Sequence, residues 1–175
     1  DEKGEAVGEP TECALVNYAT KLGLEKSELS FKSPRIGEVP FDSGRKMMST
    51  VHKVEGELVQ YTKGAPDELL SRCTHILQNG EEVTLTEELR TKILEKNTDF
   101  ASQALRVLAC AYKKHQTVPS EYTSEALENN MVFMGLVGMI DPVRPEVTAA
   151  VKECEKAGIR PVMITGDHKD TAVAI

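Results

Sequence analysis

The sequence predicts an α+β domain built on an antiparallel sheet with helices, followed by an incomplete parallel α/β unit. Residues 46–54 and 57–62 alternate apolar and polar side chains, as strands with one buried face do. Glu55-Gly56 lies between these two runs, and Asn79-Gly80 lies between two later apolar runs. Both pairs are typical of tight hairpin turns, so we expect two hairpins in the first part of the chain.

The parallel unit is predicted by the character of the last part of the sequence. Apolar runs at 132–140 and 161–164 flank a helical pattern over 145–157. Strand, helix and strand at this spacing are typical of a parallel βαβ unit. We therefore expect a first domain over residues 1–140 and a partial second domain over 141–175, cut short inside a helix.

Composition and charge narrow the class of protein. The chain has 175 residues, of which 40% are hydrophobic and 28% charged, as in soluble globular domains. No apolar run is long enough to span a bilayer, and no charged-then-apolar leader opens the chain. The net charge of -7 argues against a general nucleic-acid binder, which needs a basic face.

The cysteines and histidines show no pattern that predicts a cofactor. The four cysteines are widely separated and lie among apolar residues, so we expect reduced thiols in a cytosolic environment. The four histidines show no spacing typical of zinc ligands, and we expect no metal site.

The first elements follow from apolar periodicity and from the residues that end it. From Pro10 the apolar residues recur on one helical face, and Gly23 is a plausible stop. Residues 27–34 are polar and contain proline, which predicts a link. Residues 36–41 then read as a short or edge strand.

The middle of the chain predicts two helices and a buried strand. Residues 67–73 should form a short helix, and Thr86 can cap a longer helix that ends at Arg106. Residues 107–112 read as a buried strand. The polar, weakly patterned stretch at 113–130 predicts an excursion over the surface.

A lysine at a strand-to-helix turn is the first candidate binding residue. Lys63 ends a strand pattern, Gly64 permits conformations that a side chain resists, and Pro66 suits the first helical turn. A lysine there could meet a phosphate. The alternative is an ordinary turn with a solvated lysine, and these residues alone do not decide between the two.

Five segments together resemble the cytoplasmic headpiece of P-type ATPases in order and approximate spacing. They are Gly8-Glu9-Pro10-Thr11-Glu12, the run from Phe41 to Ser49, Lys63-Gly64-Ala65-Pro66-Asp67, Asp141-Pro142-Val143-Arg144 and Thr165-Gly166-Asp167-His168-Lys169. Each segment is a weak signal, but five in register are specific. The resemblance implies a nucleotide-binding domain followed by part of a phosphorylation domain of haloacid-dehalogenase-like type. The first two segments are more similar to calcium pumps than to sodium/potassium or proton pumps.

The resemblance implies which residues contact ATP on the first domain. Phe41 would stack on adenine, and Glu12 would lie near the adenine amino edge. Lys46 and Lys63, with Gly64, would line the cleft and supply positive charge to the phosphates. The alternatives are a core phenylalanine at a strand end for Phe41 and a glutamate that satisfies the helix dipole for Glu12.

Further roles come from the same resemblance. Arg106 would reach the phosphate chain and Leu108 would pack beside the nucleotide, although Arg106 could instead be a cation at a helix end. The loop of Thr165, Gly166 and Asp167 would receive the transferred phosphoryl group, and Asp141 and Arg144 would form the hinge between the domains. The sequence departs from the common pattern at Val143, where a second proline is usual, and at Ser43 and Gly44, which are often charged.

The implied activity is ATP-driven cation transport, with calcium as the cation. Mg²⁺ would act in the complete pump through ligands outside this chain, and the partners would be ATP, an actuator domain and transmembrane helices. The 175-residue chain would lie on the cytoplasmic side of a membrane and would be monomeric by itself. The Asp-Lys-Thr-Gly-Thr motif of the nucleophilic aspartate does not occur in these 175 residues, so we expect no phosphoenzyme from this chain alone. The alternatives are a non-catalytic nucleotide-binding regulatory module and a small haloacid-dehalogenase-like phosphatase.

Overall fold

A computed structural model describes residues 8–103, 105–140 and 144–164. This part of the chain contains both helices and strands. In order they are α1 (Pro10–Lys21), α2 (Lys26–Lys32), β1 (Arg35–Asp42), β2 (Met47–Val54), β3 (Glu57–Gly64), α3 (Pro66–Ser71), β4 (Cys73–Gln78), β5 (Glu81–Thr84), α4 (Glu87–Ser102), β6 (Arg106–His115), α5 (Ser124–Leu127), β7 (Met131–Met139) and α6 (Pro145–Lys156).

The strands form one mixed sheet, which in the described part has the order β1-β2-β3-β6-β7-β4-β5. Both predicted hairpins are confirmed, as β2–β3 and β4–β5. Their turn residues adopt the positive φ angles of a tight hairpin turn: 49° at Glu55, 90° at Gly56, 51° at Asn79 and 86° at Gly80. The expectation of a purely antiparallel sheet is wrong at one place, because β4 and β7 pair in parallel.

The predicted parallel βαβ unit is not found in the described residues. The run at 132–140 forms β7, which pairs with β6 and β4 inside the sheet of the first domain. Residues 161–164 are not a strand, and Val162 and Ile164 are exposed. A strand needs partners for its backbone groups, and β7 finds both of its partners among the strands that precede it in the chain.

Several element boundaries differ from the sequence prediction. The link predicted at 27–34 is mostly helical, as α2, with Leu29 and Phe31 exposed. Thr86 caps α4 as predicted, accepting a hydrogen bond from the Leu89 N–H at 3.3 Å. However, α4 ends at Ser102, and Arg106 is the first residue of β6 rather than a helix-end cation.

The main core lies on one face of the sheet, beneath α3 and α4. Leu69 and Leu70 of α3 pack on the buried strand residues Met47, Ala109 and Met131, and α4 adds partly buried side chains. On the same face, Leu127 of α5 packs with β1 and β2. The stretch predicted as a surface excursion therefore contributes a buried side chain. The opposite face carries α1 and α2, which line grooves with β1–β3 and β7.

α6 has no buried residue in the described part of the chain. Its apolar residues Val147 and Val151 are exposed. No helix in the described ranges is both long and apolar enough to cross a membrane.

Candidate functional site

The residues predicted to contact nucleotide on the first domain gather at one end of the sheet. β1 and β3 finish there, and β2 and β6 begin there. Met47 pairs with Gly64, and Gly64 pairs in turn with Ala109. This register aligns the end of β1 with Lys46, Lys63 and the first residues of β6, although Phe41 and Arg106 lie 65 positions apart in the sequence.

A cleft of about 360 Å³ lies between α1 and the sheet near this end. Of the predicted residues, Glu12 and Lys63 line it. Its walls also include Met48, Cys110 and Met134. Mostly apolar walls with a few charged groups are typical of small-molecule sites, whose volumes run from about 300 to 1,000 Å³. The cleft can therefore accept a ligand with an apolar part and a polar edge.

An ion pair between Glu12 and Lys63 connects α1 to β3 across this cleft. The Lys63 ammonium contacts both carboxylate oxygens of Glu12. The side chains are 50% and 26% exposed, so Lys63 is the better shielded partner. Glu12 also lies in the first turn of α1, where a carboxylate suits the helix dipole. Glu12 can therefore interact with the helix dipole and line the cleft at the same time.

Lys46 directly precedes β2, in the turn that follows Phe41. It adopts a φ of 52°, and its ammonium lies 3.3 Å from Glu68 of α3. Its backbone carbonyl accepts from the Ala65 N–H at 3.0 Å, which fixes it beside the lysine turn. Each of the two predicted lysines thus pairs with a carboxylate, and an anionic ligand would compete with these pairs.

Gly64 is needed because two backbones approach closely, and not because of its φ angle. It is absent from the described residues with positive φ, contrary to the expectation of an unusual backbone conformation. A Cβ atom at this position would lie 2.5 Å from the Met47 Cβ and 2.6 Å from the Lys46 carbonyl oxygen. Glycine therefore lets β2 and the lysine turn come together.

The remaining predicted residues on this domain differ in exposure. Phe41 is 63% exposed, so the alternative of a core phenylalanine is wrong. Arg106 is exposed and forms no ion pair with the described residues, whereas Leu108 is partly buried. Leu108 lies two residues from Cys110 on β6, which puts it on the same face as the cleft. An aromatic ring and a guanidinium are thus available to a ligand at this end.

Sequence reasoning missed Met48 and Cys110 as cleft residues. In the sheet they pair with Lys63 from either side. The signal was the period-two alternation itself, because residues directly opposite a cleft residue share its face. Burial raises the pKa of the Cys110 thiol, and nearby Lys63 lowers it to a smaller extent. The thiol therefore stays protonated at neutral pH.

A buried polar cluster beneath the site was also missed. Glu128, in the stretch predicted as an excursion, has a fully buried side chain that pairs with Arg45. The Ser49 hydroxyl donates to Glu128 Oε1 at 2.9 Å and contacts the Thr62 hydroxyl at 2.8 Å. Gln60 Nε2 donates to the Thr62 hydroxyl at 2.9 Å and so extends the cluster along β3.

His115 ends this cluster and predicts a pH dependence of stability. Its Nε2 lies 2.9 Å from Gln60 Oε1, and burial, with a smaller effect of Lys113, lowers the pKa of the imidazole. A lowered folded-state pKa means that the unfolded chain binds the proton more tightly. We therefore expect stability to fall as the pH drops below about 6.5, the ordinary histidine value.

The measurement is the urea unfolding midpoint of the wild-type chain and His115→Gln between pH 7.5 and 5.5. The wild-type midpoint should fall more steeply, and His75→Gln, which changes an exposed histidine, should follow the wild type. Parallel curves for the wild type and His115→Gln would contradict the assignment.

Four of the predicted residues cannot be placed. Thr165, Gly166 and Asp167, predicted to receive the phosphoryl group, and Asp141 of the predicted hinge lie outside the described residues. Arg144 occupies the N-cap position of α6, where it is exposed and makes no side-chain cap. Its hinge role stays a prediction, as does the domain boundary at 140.

A family comparison identifies the class of protein that this fold and site define. The family model described as "P-type ATPase, cytoplasmic domain N" matches residues 1–146. The chain belongs to the P-type ATPase family, and the match covers the sheet and the cleft. The small-phosphatase alternative loses its support, because residues 1–146 match domain N.

Named relatives come from bacteria and from animals. The chain is 52% identical over 168 residues to calcium-transporting ATPase 1 of Bacillus cereus, covering 96% of the chain and 19% of that protein. It is 46% identical to a calcium-transporting ATPase of Listeria monocytogenes, covering 99% of the chain and 20% of that protein. It is 34% identical to the sodium/potassium-transporting ATPase subunit alpha-4 of Rattus norvegicus, covering 99% and 18%. The chain thus spans about a fifth of the length of these relatives.

Proposed function

We propose that this chain is the ATP-binding part of a cation pump, with calcium as the transported ion. One observation carries the proposal: the sheet brings an exposed aromatic ring, two lysines and an exposed arginine to one end, beside an apolar cleft. An adenine nucleotide needs a stacking platform and positive charge at a distance from it, and this end of the sheet offers both.

Each residue has a part in the proposed binding. Phe41 stacks on adenine, and Leu108 packs beside it. Lys46 and Lys63 face the phosphates once their ion pairs with Glu68 and Glu12 have broken. Arg106 binds the outer phosphates in a bidentate way. Gly64 holds the lysine turn against β2 and contributes shape rather than charge.

In the complete pump, the bound ATP would present its γ-phosphate to an aspartate supplied by another part of the protein. The loop of Thr165, Gly166 and Asp167 would receive the transferred group, and Asp141 and Arg144 would permit the closure. Mg²⁺ would neutralise phosphate charge there. No group of three or more acidic, histidine or cysteine side chains in the described ranges is placed to hold a metal ion, so we assign no ligand to it.

Calcium is proposed from the relatives and not from the site. Two of the relatives above are named as calcium-transporting. A third, less similar relative is named for sodium and potassium. The remaining proposals are that the 175-residue chain is monomeric, lies on the cytoplasmic side of the membrane, and works with an actuator domain and membrane helices in the whole pump.

The proposal is tested by titrating the chain with ATP, ADP and GTP while following amide NMR shifts. We expect weak, adenine-selective binding, with a Kd of about 0.1–1 mM, because an open half-site makes few contacts. Phe41→Ala should weaken ATP and ADP binding about tenfold, since base stacking is worth about 1–3 kcal/mol.

Phe31→Ala is the matched control, because Phe31 is an aromatic residue on α2 that is 89% exposed. The affinity of this variant for ATP should equal that of the wild type. Absence of amide shifts at several millimolar ATP in a folded sample would overturn the proposal. The chain would then have the fold of the family without the ability to bind nucleotide.

A further inference from the structure

Arg45 has no role in the proposed binding, yet its side chain is bound on two sides. Its guanidinium donates to the Glu128 carboxylate and to the backbone carbonyl of Pro40. The side chain is only 15% exposed. A planar guanidinium holds two acceptors in fixed directions, so this contact restrains both ends of the turn at residues 42–46.

Glu128 is a rigid partner for that contact. Its side chain is fully buried and accepts further hydrogen bonds from the Ser49 and Ser124 hydroxyls, at 2.9 and 2.7 Å. Arg72 lies 3.9 Å from the same carboxylate and also donates to the Glu128 backbone carbonyl at 3.2 Å. A buried carboxylate that accepts from this many donors is held in one position.

The restrained turn separates two residues of the proposed site. Pro40, whose carbonyl Arg45 holds, directly precedes Phe41, and Lys46 directly follows Arg45. Within the turn, Asp42 accepts from the backbone N–H groups of Gly44 and Arg45 through its side chain and of Lys46 through its carbonyl, at 2.9, 3.1 and 2.7 Å. These bonds shape the turn, and the contact with Glu128 attaches it to the core.

We propose that Arg45 and Glu128 form a positioning pair for nucleotide binding, which rests on the function proposed above. Arg45 need not touch the nucleotide. It sets where Phe41 and Lys46 stand relative to the cleft, so its loss should lower affinity by more than the loss of stability explains.

The test compares Arg45→Ala, Arg45→Lys and Arg90→Ala in the 175-residue chain. Arg90 is the matched control, because its guanidinium also binds two backbone carbonyls, those of Leu70 and Cys73, but outside the turn. Three quantities are measured: the thermal midpoint, the Kd for ADP, and the backbone order of Gly44 and Lys46 from amide relaxation without ligand.

We expect Arg45→Ala to raise the Kd for ADP about tenfold and to mobilise Gly44 and Lys46. Arg45→Lys keeps the charge but not the two-pronged contact, and should lie between Arg45→Ala and the wild type. It also keeps the test decisive if the alanine variant does not fold. Arg90→Ala should lower the thermal midpoint and leave the Kd and the turn unchanged.

A rigid turn and an unchanged Kd in both Arg45 variants would overturn the positioning pair. So would a loss of affinity that Arg90→Ala reproduces at the same thermal midpoint. Absence of ADP binding by the wild-type chain would overturn the proposed function instead, and the relaxation data would still decide whether Arg45 holds the turn.

Discussion

Replacing Gly64 by alanine is expected to destabilise the chain by about 2–3 kcal/mol, the upper part of the range for overpacking a tight position. The new methyl group would lie 2.5 Å from the Met47 Cβ and 2.6 Å from the Lys46 carbonyl oxygen. Met47 is fully buried, and a carbonyl oxygen cannot move without its backbone. The strain would therefore separate β2 from the lysine turn.

The measurement is the free energy of unfolding from urea titration, with Gly138→Ala as the matched control. Gly138 also lies in a strand, but its nearest neighbour is the Leu105 Cδ1 at 3.1 Å, the end of a flexible side chain. The control should lose well under half as much stability. Equal losses would mean that the close approach at Gly64 is not special.

The elements of this fold were predictable where the sequence acts locally. A tight hairpin turn needs positive φ angles at two adjacent residues. The pairs Glu55-Gly56 and Asn79-Gly80 indicate such turns directly in the sequence, and all four residues have positive φ. The cap at Thr86 is equally local. The end of α4 was not predictable in this way, since Phe100 and Leu105 keep a helical period across a helix end that lies between them.

The partnership of β7 could not be predicted from its own residues. A continuous apolar run is typical of a strand covered on both faces, and it fits a parallel βαβ unit as well as the middle of a mixed sheet. The choice depends on which strands offer free edges. Here β6 and β4 lie on either side of β7, and that information is spread over the chain from Cys73 to His115.

The candidate site was predicted only in part, because many of its contacts join segments that are far apart in the sequence. Glu12, Lys63 and Gly64 were predicted from motifs, and a motif names candidate residues without specifying which side chains they contact. Met48 and Cys110 were missed because only the register of three strands places them beside Lys63. Glu128 was missed because its partner Arg45 lies 83 residues away in a segment with no periodic pattern.

Replacing Lys63 by alanine is expected to weaken ATP binding more than any other single change in the cleft, by at least tenfold or about 1.4 kcal/mol. Two effects act in the same direction. The variant loses a cation that faces the phosphates, and it leaves the half-exposed Glu12 carboxylate unpaired beside the same anion. Like charges across a short distance then oppose binding.

The matched control is Lys114→Ala. Lys114 lies on the same face of the sheet, toward its other end, and pairs with Glu57 at 2.8 Å, so its loss removes the same charge and the same kind of ion pair. The Kd for ATP is measured by amide shifts at two salt concentrations. Lys114→Ala should stay close to the wild type, and any difference should vanish in high salt because the side chain is exposed.

Glu12→Gln separates two roles of the carboxylate in the same experiment. If Glu12 mainly neutralises Lys63, the variant should bind ATP and GTP more tightly, since the ammonium is released to the phosphates. If Glu12 accepts a hydrogen bond from the adenine amino group, affinity for ATP should fall while affinity for GTP does not. An unchanged Kd for ATP in Lys63→Ala would contradict the role of Lys63 in phosphate binding, because the ion pair could then be broken without any effect on the ligand.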